Sequence, residues 1–249
     1  MKMYYKEDLA FIHDAGFSEW ALKSAPGLLQ ILKRNGIRDG LIVDLGCGSG
    51  VWAGALTEAG FSVLGIDISD SMIDIARKRA PAAEFRVGSI FSTRIPRCKA
   101  VTSISECLNY LFDSEQDGRI PRLFERIYNA LAPGGVFVFD IAEPGQLKRG
   151  NPTKGFTEGD GWMVLVEKGE DSRRSVLTRR ITSFRKAGAD YRRSDEVHRQ
   201  QLFKSSEIAK ELRKAGFKVT IRRGYGEYRL PRAHAVLIAR KPRQAKERV

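Results

Sequence analysis

The stretch of this sequence best suited to hold a ligand has an aspartate followed by glycines at every second position. Residues 43–50 read Val-Asp-Leu-Gly-Cys-Gly-Ser-Gly, so Asp44 precedes glycines at positions 46, 48 and 50. Such glycines accept positive φ and let backbone N–H groups come close to a bound molecule. The pattern D-x-G-x-G-x-G differs from the G-x-G-x-x-G of nicotinamide and flavin sites. The segment therefore predicts a ligand loop of another kind.

A second carboxylate stands at a spacing that suits ribose recognition. Asp67 ends the apolar run 62–66 and lies 23 residues after Asp44. An acidic residue about 20 residues past a glycine loop can accept hydrogen bonds from both ribose hydroxyls. We therefore expect Asp67 to bind the ribose of a nucleoside ligand.

Several motifs in order across positions 41–141 resemble those of class I S-adenosylmethionine (AdoMet) methyltransferases. They are the glycine loop, Asp67 with the helix-like stretch 68–77, the stretch 105–111 and the turn Pro133-Gly134-Gly135. The chain lacks the [DNS]-P-P-[YFW] motif of enzymes that methylate amino groups of adenine or glutamine. The resemblance implies AdoMet as cofactor, S-adenosylhomocysteine as product and a small-molecule type of enzyme.

The resemblance also implies a cofactor site. Its residues are, in chain order, Asp44, Gly46, Cys47, Gly48, Gly50, Asp67, Ile68, Met72, Ser89, Ile90 and Ser105. The glycine loop would hold the methionine part of AdoMet. Met72 would pack near the adenosine, although a methionine at this position can equally be core. Ser89 stands where many relatives have an adenine-binding Asp.

Two residues are candidates for catalysis. Glu106 follows the fourth strand, where the acceptor of such enzymes usually approaches, and His198 lies on a strand predicted to cover the site. Each can alternatively be a structural polar residue. The sequence contains no Ser-His-Asp pattern and no metal-ligand cluster, so no metal is expected. We expect an in-line SN2 transfer dominated by positioning, with a base only where the acceptor is protonated.

The elements that must position these residues alternate along the chain. Apolar runs predict strands near 41–43, 62–66, 84–88, 100–104, 136–141, 217–221 and 234–239, and helices that include 21–34, 119–130 and 205–214. The resemblance implies an α/β, three-layer Rossmann-like methyltransferase fold. Its seven-stranded, mostly parallel sheet would have the order 3-2-1-4-5-7-6, with strand 7 antiparallel.

The remaining segments are predicted to cover this core. Residues 1–38 would form a helical cap, in which Tyr4, Tyr5, His13 and Trp20 can either face the ligands or anchor the cap. Residues 39–150 and 204–241 would form the AdoMet-binding core. Residues 151–203 predict an inserted three-stranded antiparallel meander, which acts either as a substrate lid or as a dimerisation or stability insert. Residues 242–249 read as a basic tail.

Composition narrows the class of protein. Of 249 residues, 42% are hydrophobic, enough for a sizeable core, and no apolar run is long enough for a membrane span. The first residues lack a signal-peptide core, so we expect a cytoplasmic protein. The chain has three cysteines, which is an odd number, and no two of them have CxxC spacing. Both facts argue against a disulfide framework.

Positive charge is concentrated in the C-terminal part. Residues 1–150 hold 18 Lys and Arg and 18 Asp and Glu, whereas residues 151–249 hold 25 and 12. We interpret the excess as solvated strand faces and a tail, since no RNA-binding motif accompanies it. The favoured function is methyl transfer to an O or N atom of a small molecule. The alternatives are an RNA or protein methyltransferase that docks through the basic part, and a non-catalytic AdoMet-binding protein. The oligomeric state stays open, and a dimer is one option.

Overall fold

A mostly parallel sheet forms the centre of the protein in the computed structural model, which describes residues 4–111, 118–147 and 152–243. Its strands are β1 (Leu41–Leu45), β2 (Ser62–Asp67), β3 (Glu84–Val87), β4 (Cys98–Ser103), β5 (Leu131–Ala142), β10 (Lys218–Arg222) and β13 (His234–Arg240). The order is β10-β13-β5-β4-β1-β2-β3, and β13 is antiparallel to both neighbours. The predicted order and the antiparallel seventh strand are confirmed.

Helices cover both faces of this sheet. They are α1 (Glu7–Phe17), α2 (Glu19–Arg34), α3 (Val51–Glu58), α4 (Asp70–Arg79), α5 (Arg119–Ala130) and α6 (Ser205–Lys214). Because successive strand residues point to opposite faces, Ile42 packs with α2, α3 and α4, whereas Val43 packs with α5 and α6. The three-layer prediction is therefore confirmed. None of the described helices is long and apolar enough to cross a membrane.

The fifth strand is longer than predicted. It begins at Leu131, directly after α5, so Pro133-Gly134-Gly135 lies within a strand and not in a free turn. Gly134 has a φ of 82°, and the pairing of β4 with β5 shifts register between Cys98 and Ala100. The glycine thus permits an irregularity in the ladder where we expected a connection.

A separate antiparallel sheet, hereafter the lid sheet, covers the carboxyl end of the central strands. It contains β6 (Thr153–Gly159), β7 (Trp162–Asp171), β8 (Val176–Ala187) and β9 (Asp190–Gln201) in sequential order. The prediction of three strands was one short, because β6 carries a single large apolar residue, Phe156, and is exposed along its length. An edge strand without a buried face shows no alternation.

The N-terminal helix packs on this lid sheet. Leu9 and Ile12 of α1 form an apolar cluster with Trp162, Val164 and Ile181. Elsewhere in the chain, β11 (Gly224–Tyr225) and β12 (Tyr228–Arg229) form a short antiparallel hairpin. A cap and a lid sheet therefore meet over the edge at which β1, β2 and β4 end. This edge is where ligands bind in open α/β sheets.

Candidate functional site

The glycine loop connects β1 to α3 and borders a cavity. Gly46 N and Cys47 N both donate to Ile66 O, at 2.7 and 3.1 Å, which fixes the loop against β2. Gly48 has a φ of 52°, and a Cβ placed on it would meet nothing within 4 Å. A Cβ on Gly50 would lie 2.9 Å from that of Ala76 in α4. Gly48 thus leaves open space beside the loop, whereas Gly50 permits close packing of a helix.

A buried carboxylate at the end of β1 lacks one hydrogen bond. Trp52 Nε1 donates to Thr102 Oγ1 at 3.1 Å, and Thr102 Oγ1 donates to Asp44 Oδ1 at 2.8 Å. Asp44 Oδ2 is buried and has no partner among the described residues. Burial, together with the nearby carboxylate of Asp67, raises the pKa of Asp44 to about 7. The free oxygen is an acceptor available to a cationic ligand group.

The carboxylate at the end of β2 organises the backbone around it. Asp67 Oδ2 accepts the N–H of Gly48 at 2.9 Å, and Oδ1 accepts the N–H of Ser69 at 2.9 Å. Burial raises the pKa of Asp67, and the backbone donors oppose that rise. Asp67 therefore sits between the glycine loop and the N-terminus of α4.

A cavity of about 920 Å³, including its open mouth, lies among these groups. Ten of the eleven predicted cofactor residues line it, and Gly50 is the exception. The lining residues from that set are Asp44, Gly46, Cys47, Gly48, Asp67, Ile68, Met72, Ser89, Ile90 and Ser105. Met72 is 2% exposed overall, so it serves both as cavity wall and as core.

The cap forms the opposite wall of this cavity. Tyr5, His13 and Phe17 line it together with Tyr110, which follows β4. The hydroxyls of Tyr5 and Tyr110 are 2.8 Å apart. Burial lowers the pKa of His13 to about 4, so this ring is neutral near pH 7. Tyr5 and His13 thus reach the cavity, as one of the two interpretations of the cap residues predicts.

The other two candidate cap residues lie elsewhere. Tyr4 donates its hydroxyl to Leu111 O at 3.0 Å. Trp20 Nε1 donates to Asp140 Oδ2 at 3.3 Å, and its ring packs against His234. Both side chains anchor the cap to the core.

Polar contacts hold the cap over the glycine loop. Arg79 of α4 donates to both carboxylate oxygens of Asp14 in α1, and it donates to Ser49 O at 2.8 Å and Ser49 Oγ at 2.9 Å. Ser69 Oγ donates to Tyr5 O at 2.8 Å. The cap is therefore bound directly to the segments that line the cavity.

The loop after β4 contains two consecutive non-glycine residues with positive φ. Ser105 and Glu106 have φ values of 66° and 61°. Asp140 of β5 accepts the N–H of Ser105 at 3.0 Å and that of Glu106 at 2.6 Å. Tyr225 also donates its hydroxyl to Asp140, at 2.8 Å. Such strained backbone persists only where the surroundings hold it, and it clusters at functional sites.

Glu106 is the centre of a buried polar network and does not line the cavity. Its carboxylate accepts from Arg179 Nη2 at 2.8 Å, from Gln200 Nε2 at 2.7 Å and from His234 Nε2. Burial opposes ionisation, but the charge of Arg179 and the hydrogen bond from His234 outweigh it. The pKa of Glu106 therefore lies well below its ordinary value. The hydrogen bond to Glu106 likewise raises the pKa of His234 despite burial.

His198 lies behind the aromatic wall of the cavity. Its ring centroid is 4.9 Å from that of Tyr5 and 5.8 Å from that of Tyr110. His198 Nε2 is 2.7 Å from Glu196 Oε2, and Nδ1 is buried with no partner in the described ranges. Glu196 also accepts the N–H groups of Tyr5 and Lys6, at 2.8 and 2.9 Å.

The position of Glu196 was not predicted, although the sequence contains a signal for it. Residues two apart on a strand share a face, so the Glu-x-His spacing of 196–198 places the carboxylate beside the imidazole. A carboxylate that accepts from one imidazole nitrogen fixes the ring so that the other nitrogen can accept a proton.

Comparison with known proteins agrees with this geometry. A family model described as a methyltransferase domain matches residues 42–135. A proposed methyltransferase of Geobacillus sp. (strain WCH70) is 28% identical over 186 residues, which are 72% of this chain and 74% of that protein.

A second relative matches a similar share of the chain, and a solved structure has the same fold over most of it. The dTDP-3-amino-3,4,6-trideoxy-alpha-D-glucopyranose N,N-dimethyltransferase of Streptomyces venezuelae is 27% identical over 191 residues, 72% of this chain and 75% of that enzyme. The solved structure of an S-adenosylmethionine-dependent methyltransferase from Clostridium acetobutylicum ATCC 824 has a TM-score of 0.78 at 21% identity and covers 94% of this chain and 97% of its own. The ordered motifs, the sheet topology and these matches support an S-adenosylmethionine-dependent methyltransferase of class I.

Proposed function

We propose that this enzyme methylates an N or O atom of a small molecule that binds between the cap, the lid sheet and the loop after β4. The observation that carries the proposal is the cavity, which joins the glycine loop at one end to the Tyr5–Tyr110 wall at the other. The division into cap 1–38, core 39–150 and 204–241, lid 151–203 and tail 242–249 is part of this proposal. Residues 244–249 lie outside the described residues.

The residues at the glycine loop fit AdoMet. The free Oδ2 of Asp44 is an acceptor for the amino group of the methionine part, and Asp67 offers its carboxylate to the ribose. The open space at Gly48 admits the chain of the ligand next to the backbone. Ser89 and Ile90 would contact the adenine. When bound, AdoMet supplies an electrophilic methyl group on a sulfonium that is already a good leaving group.

The main contribution of this chain to the reaction would be positioning. The cap helix, bound through Asp14 to Arg79, and the lid sheet surround the cavity and restrict water. Holding two reactants in attack geometry is worth about 7–11 kcal/mol of barrier. Since sulfonium chemistry needs little activation of the leaving group, orientation accounts for most of the catalysis in this proposal.

A base is needed only for an acceptor that is protonated before attack. We propose His198 for this step, because Glu196 holds its Nε2 and leaves Nδ1 free to accept a proton. Glu106 is less suited, since three donors already engage its carboxylate and its pKa is low. Its role in the proposal is to orient Arg179.

The relatives that carry the names of sugar methyltransferases support a small acceptor. The Streptomyces venezuelae relative carries the name of an amino-sugar N,N-dimethyltransferase, which favours an amine as the nucleophile. Ring-lined cavities suit small organic molecules with a few polar groups.

Incubation with methyl-labelled AdoMet and a cell extract tests the proposal. After the reaction, the extract is separated into small molecules, RNA and protein, and the label in each fraction is counted. We expect label in the small-molecule fraction with the wild-type enzyme and none above background with Gly48→Val, whose side chain would project into the cavity. Label confined to RNA or protein would contradict the proposal, and RNA labelling that salt suppresses would favour docking through the basic part.

A further inference from the structure

We propose that Lys168 and Arg179, which lie side by side on the inner face of the lid sheet, bind an anionic group of the methyl acceptor, a carboxylate or a phosphate. This inference rests on the proposed function, because it names the chemistry of the acceptor at that same site.

The strand register places the two cations in one row. Lys168 of β7 pairs directly with Arg179 of β8, and Arg179 pairs directly with His198 of β9. Residues that are directly opposite in antiparallel strands share a face, with Cβ atoms about 4.5–5.5 Å apart. The row therefore brings a lysine, an arginine and the imidazole next to one another.

This row faces the interior and not the solvent. Leu177 and Ile181, two residues to either side of Arg179 on the same face, are 1% and 9% exposed. Arg180, on the opposite face, is exposed. Lys168 is half-buried, as is Arg179. The positive charges thus lie between the lid sheet and the core.

One of the two cations, Lys168, has no ion pair among the described residues. Glu106 neutralises Arg179, whereas the side chain of Lys168 has neither an ion pair nor a hydrogen bond within the described ranges. The next carboxylate on the same strand face, Glu170, is occupied by the N–H groups of Gly145 and Leu147 at 2.8 and 2.9 Å. Like charges directly opposite each other destabilise a sheet. An anion between them would remove that repulsion.

Arg179 keeps donors free for such a group. One Nη donates to Glu106, while Nε is buried without a partner in the part of the chain that the structure describes. A guanidinium presents its N–H groups as a planar fork that matches carboxylate and phosphate oxygens. An orphaned buried donor beside an unpaired lysine is a binding position for oxygen anions.

The row also lies next to the wall of the cavity. Burial raises the pKa of Tyr110 to about 12, and the nearby charge of Arg179 opposes that rise. Arg179 acts in the same way on Tyr5, whose ring packs against His198. An acceptor whose acidic group meets Lys168 and Arg179 would therefore extend along the Tyr5–Tyr110 wall towards the cofactor.

Titration of small anions tests the site independently of any acceptor. The full-length protein, saturated with S-adenosylhomocysteine, is titrated calorimetrically with inorganic phosphate and with acetate at constant ionic strength. We expect Lys168→Gln to weaken binding by at least about fivefold, because it removes one charged donor. Arg180→Gln, which makes the same charge change on the outer face, should stay within about twofold of wild type because exposed charges are screened. Arg179 is not substituted, since its loss would leave Glu106 buried and unpaired.

The two anions distinguish the chemistry of the group. Binding of phosphate alone indicates a phosphorylated acceptor, and binding of acetate indicates a carboxylate. Binding of neither anion overturns the inference. An equal loss of anion affinity in Lys168→Gln and Arg180→Gln also overturns it, because it would show that the anion responds to the overall charge of the protein and not to a specific site.

Paired acceptors supply the second readout. β-Alanine and O-phosphoethanolamine are compared with the neutral β-alaninamide and ethanolamine as methyl acceptors, and Lys168→Gln should reduce any preference for the acidic members. Transfer that favours the neutral members would contradict the inference while leaving the proposed function intact. Loss of AdoMet binding or of all transfer in the wild-type enzyme would instead count against the proposed function.

Discussion

The carboxylate of Asp140 accepts the backbone N–H of Glu106 at 2.6 Å, in a turn where Glu106 has a φ of 61°. The same carboxylate holds Ser105, the preceding residue with positive φ. A side chain of β5 thus fixes the conformation of the loop that borders both the cavity and the network around Glu106.

Replacement of Asp140 should loosen this turn. We expect Asp140→Ala to lower the free energy of unfolding by about 2–4 kcal/mol, because two backbone N–H groups, the Tyr225 hydroxyl and Trp20 Nε1 lose their acceptor. Urea denaturation measures the change. Tyr225→Phe, which removes one donor and leaves both backbone bonds, should cost about 1 kcal/mol. Equal costs for the two variants would contradict a role of Asp140 in holding the turn.

The carboxyl of Asp44 predicts a pH dependence of AdoMet affinity. Burial raises its pKa to about 7. Since a cationic amino group prefers the charged carboxylate, affinity should rise as pH increases through about 7, and should fall once the α-amino group of AdoMet loses its proton at about pH 8. Calorimetric titrations across this range test the profile. In Asp44→Asn the rise below pH 7 should be absent, and a persisting rise would assign it to another group.

The same carboxyl affects the stability of the ligand-free protein with the opposite sign. Its folded pKa is above the unfolded value of about 3.9, so between these values the folded state binds more protons than the unfolded state. The free energy of unfolding should therefore decrease as pH rises from about 4 to 7. Asp44→Asn should flatten this slope in part, since Asp140, with a pKa raised by burial to about 6, contributes in the same direction.

The ion pair between Arg79 and Asp14 should help to hold the cap over the bound cofactor. Both side chains are partly exposed, so we expect Arg79→Gln to cost about 0.5–1 kcal/mol of stability. Because Arg79 also binds Ser49 of the glycine loop, AdoMet should dissociate faster from this variant in stopped-flow chase experiments. Arg77→Gln on the same helix breaks an exposed pair with Asp74 and serves as the control. Equal dissociation rates in the two variants would argue against a role of this contact in closure.

His198 offers a kinetic prediction. With an acceptor obtained from the labelled extract, we expect His198→Gln to reduce kcat by about 10²-fold or more while the AdoMet Kd stays near that of wild type. A small effect on kcat would mean that the acceptor loses its proton to solvent. A large increase in the AdoMet Kd would instead assign His198 a structural role.

The sequence was informative wherever chemistry depends on local spacing. The glycines and Asp67 are near one another in the chain and lie at the ends of adjacent strands. The family resemblance that they carry together with the later motifs predicted ten residues that line the cavity. Apolar runs likewise predicted the central strands, because most of them bury residues of both faces.

Long-range polar contacts could not be predicted in this way. The partners of Glu106 are Arg179, Gln200 and His234, which come from three strands and follow no fixed spacing. The strand β6 was missed for a different reason, since its single large apolar residue, Phe156, is exposed and leaves no periodic signal.

The most direct test of the central claim is a calorimetric titration of AdoMet into a matched pair of glycine variants. Gly48 and Gly60 have φ values of 52° and 87°, and at both a Cβ would meet no atom within 4 Å, but only Gly48 lines the cavity. Both Ala substitutions should therefore cost similar backbone strain, about 1–2 kcal/mol.

We predict that wild type and Gly60→Ala bind one AdoMet with similar affinity, and that Gly48→Ala binds at least about tenfold more weakly, equivalent to about 1.4 kcal/mol. Equal affinities in the two variants would place the cofactor away from the glycine loop and contradict this account.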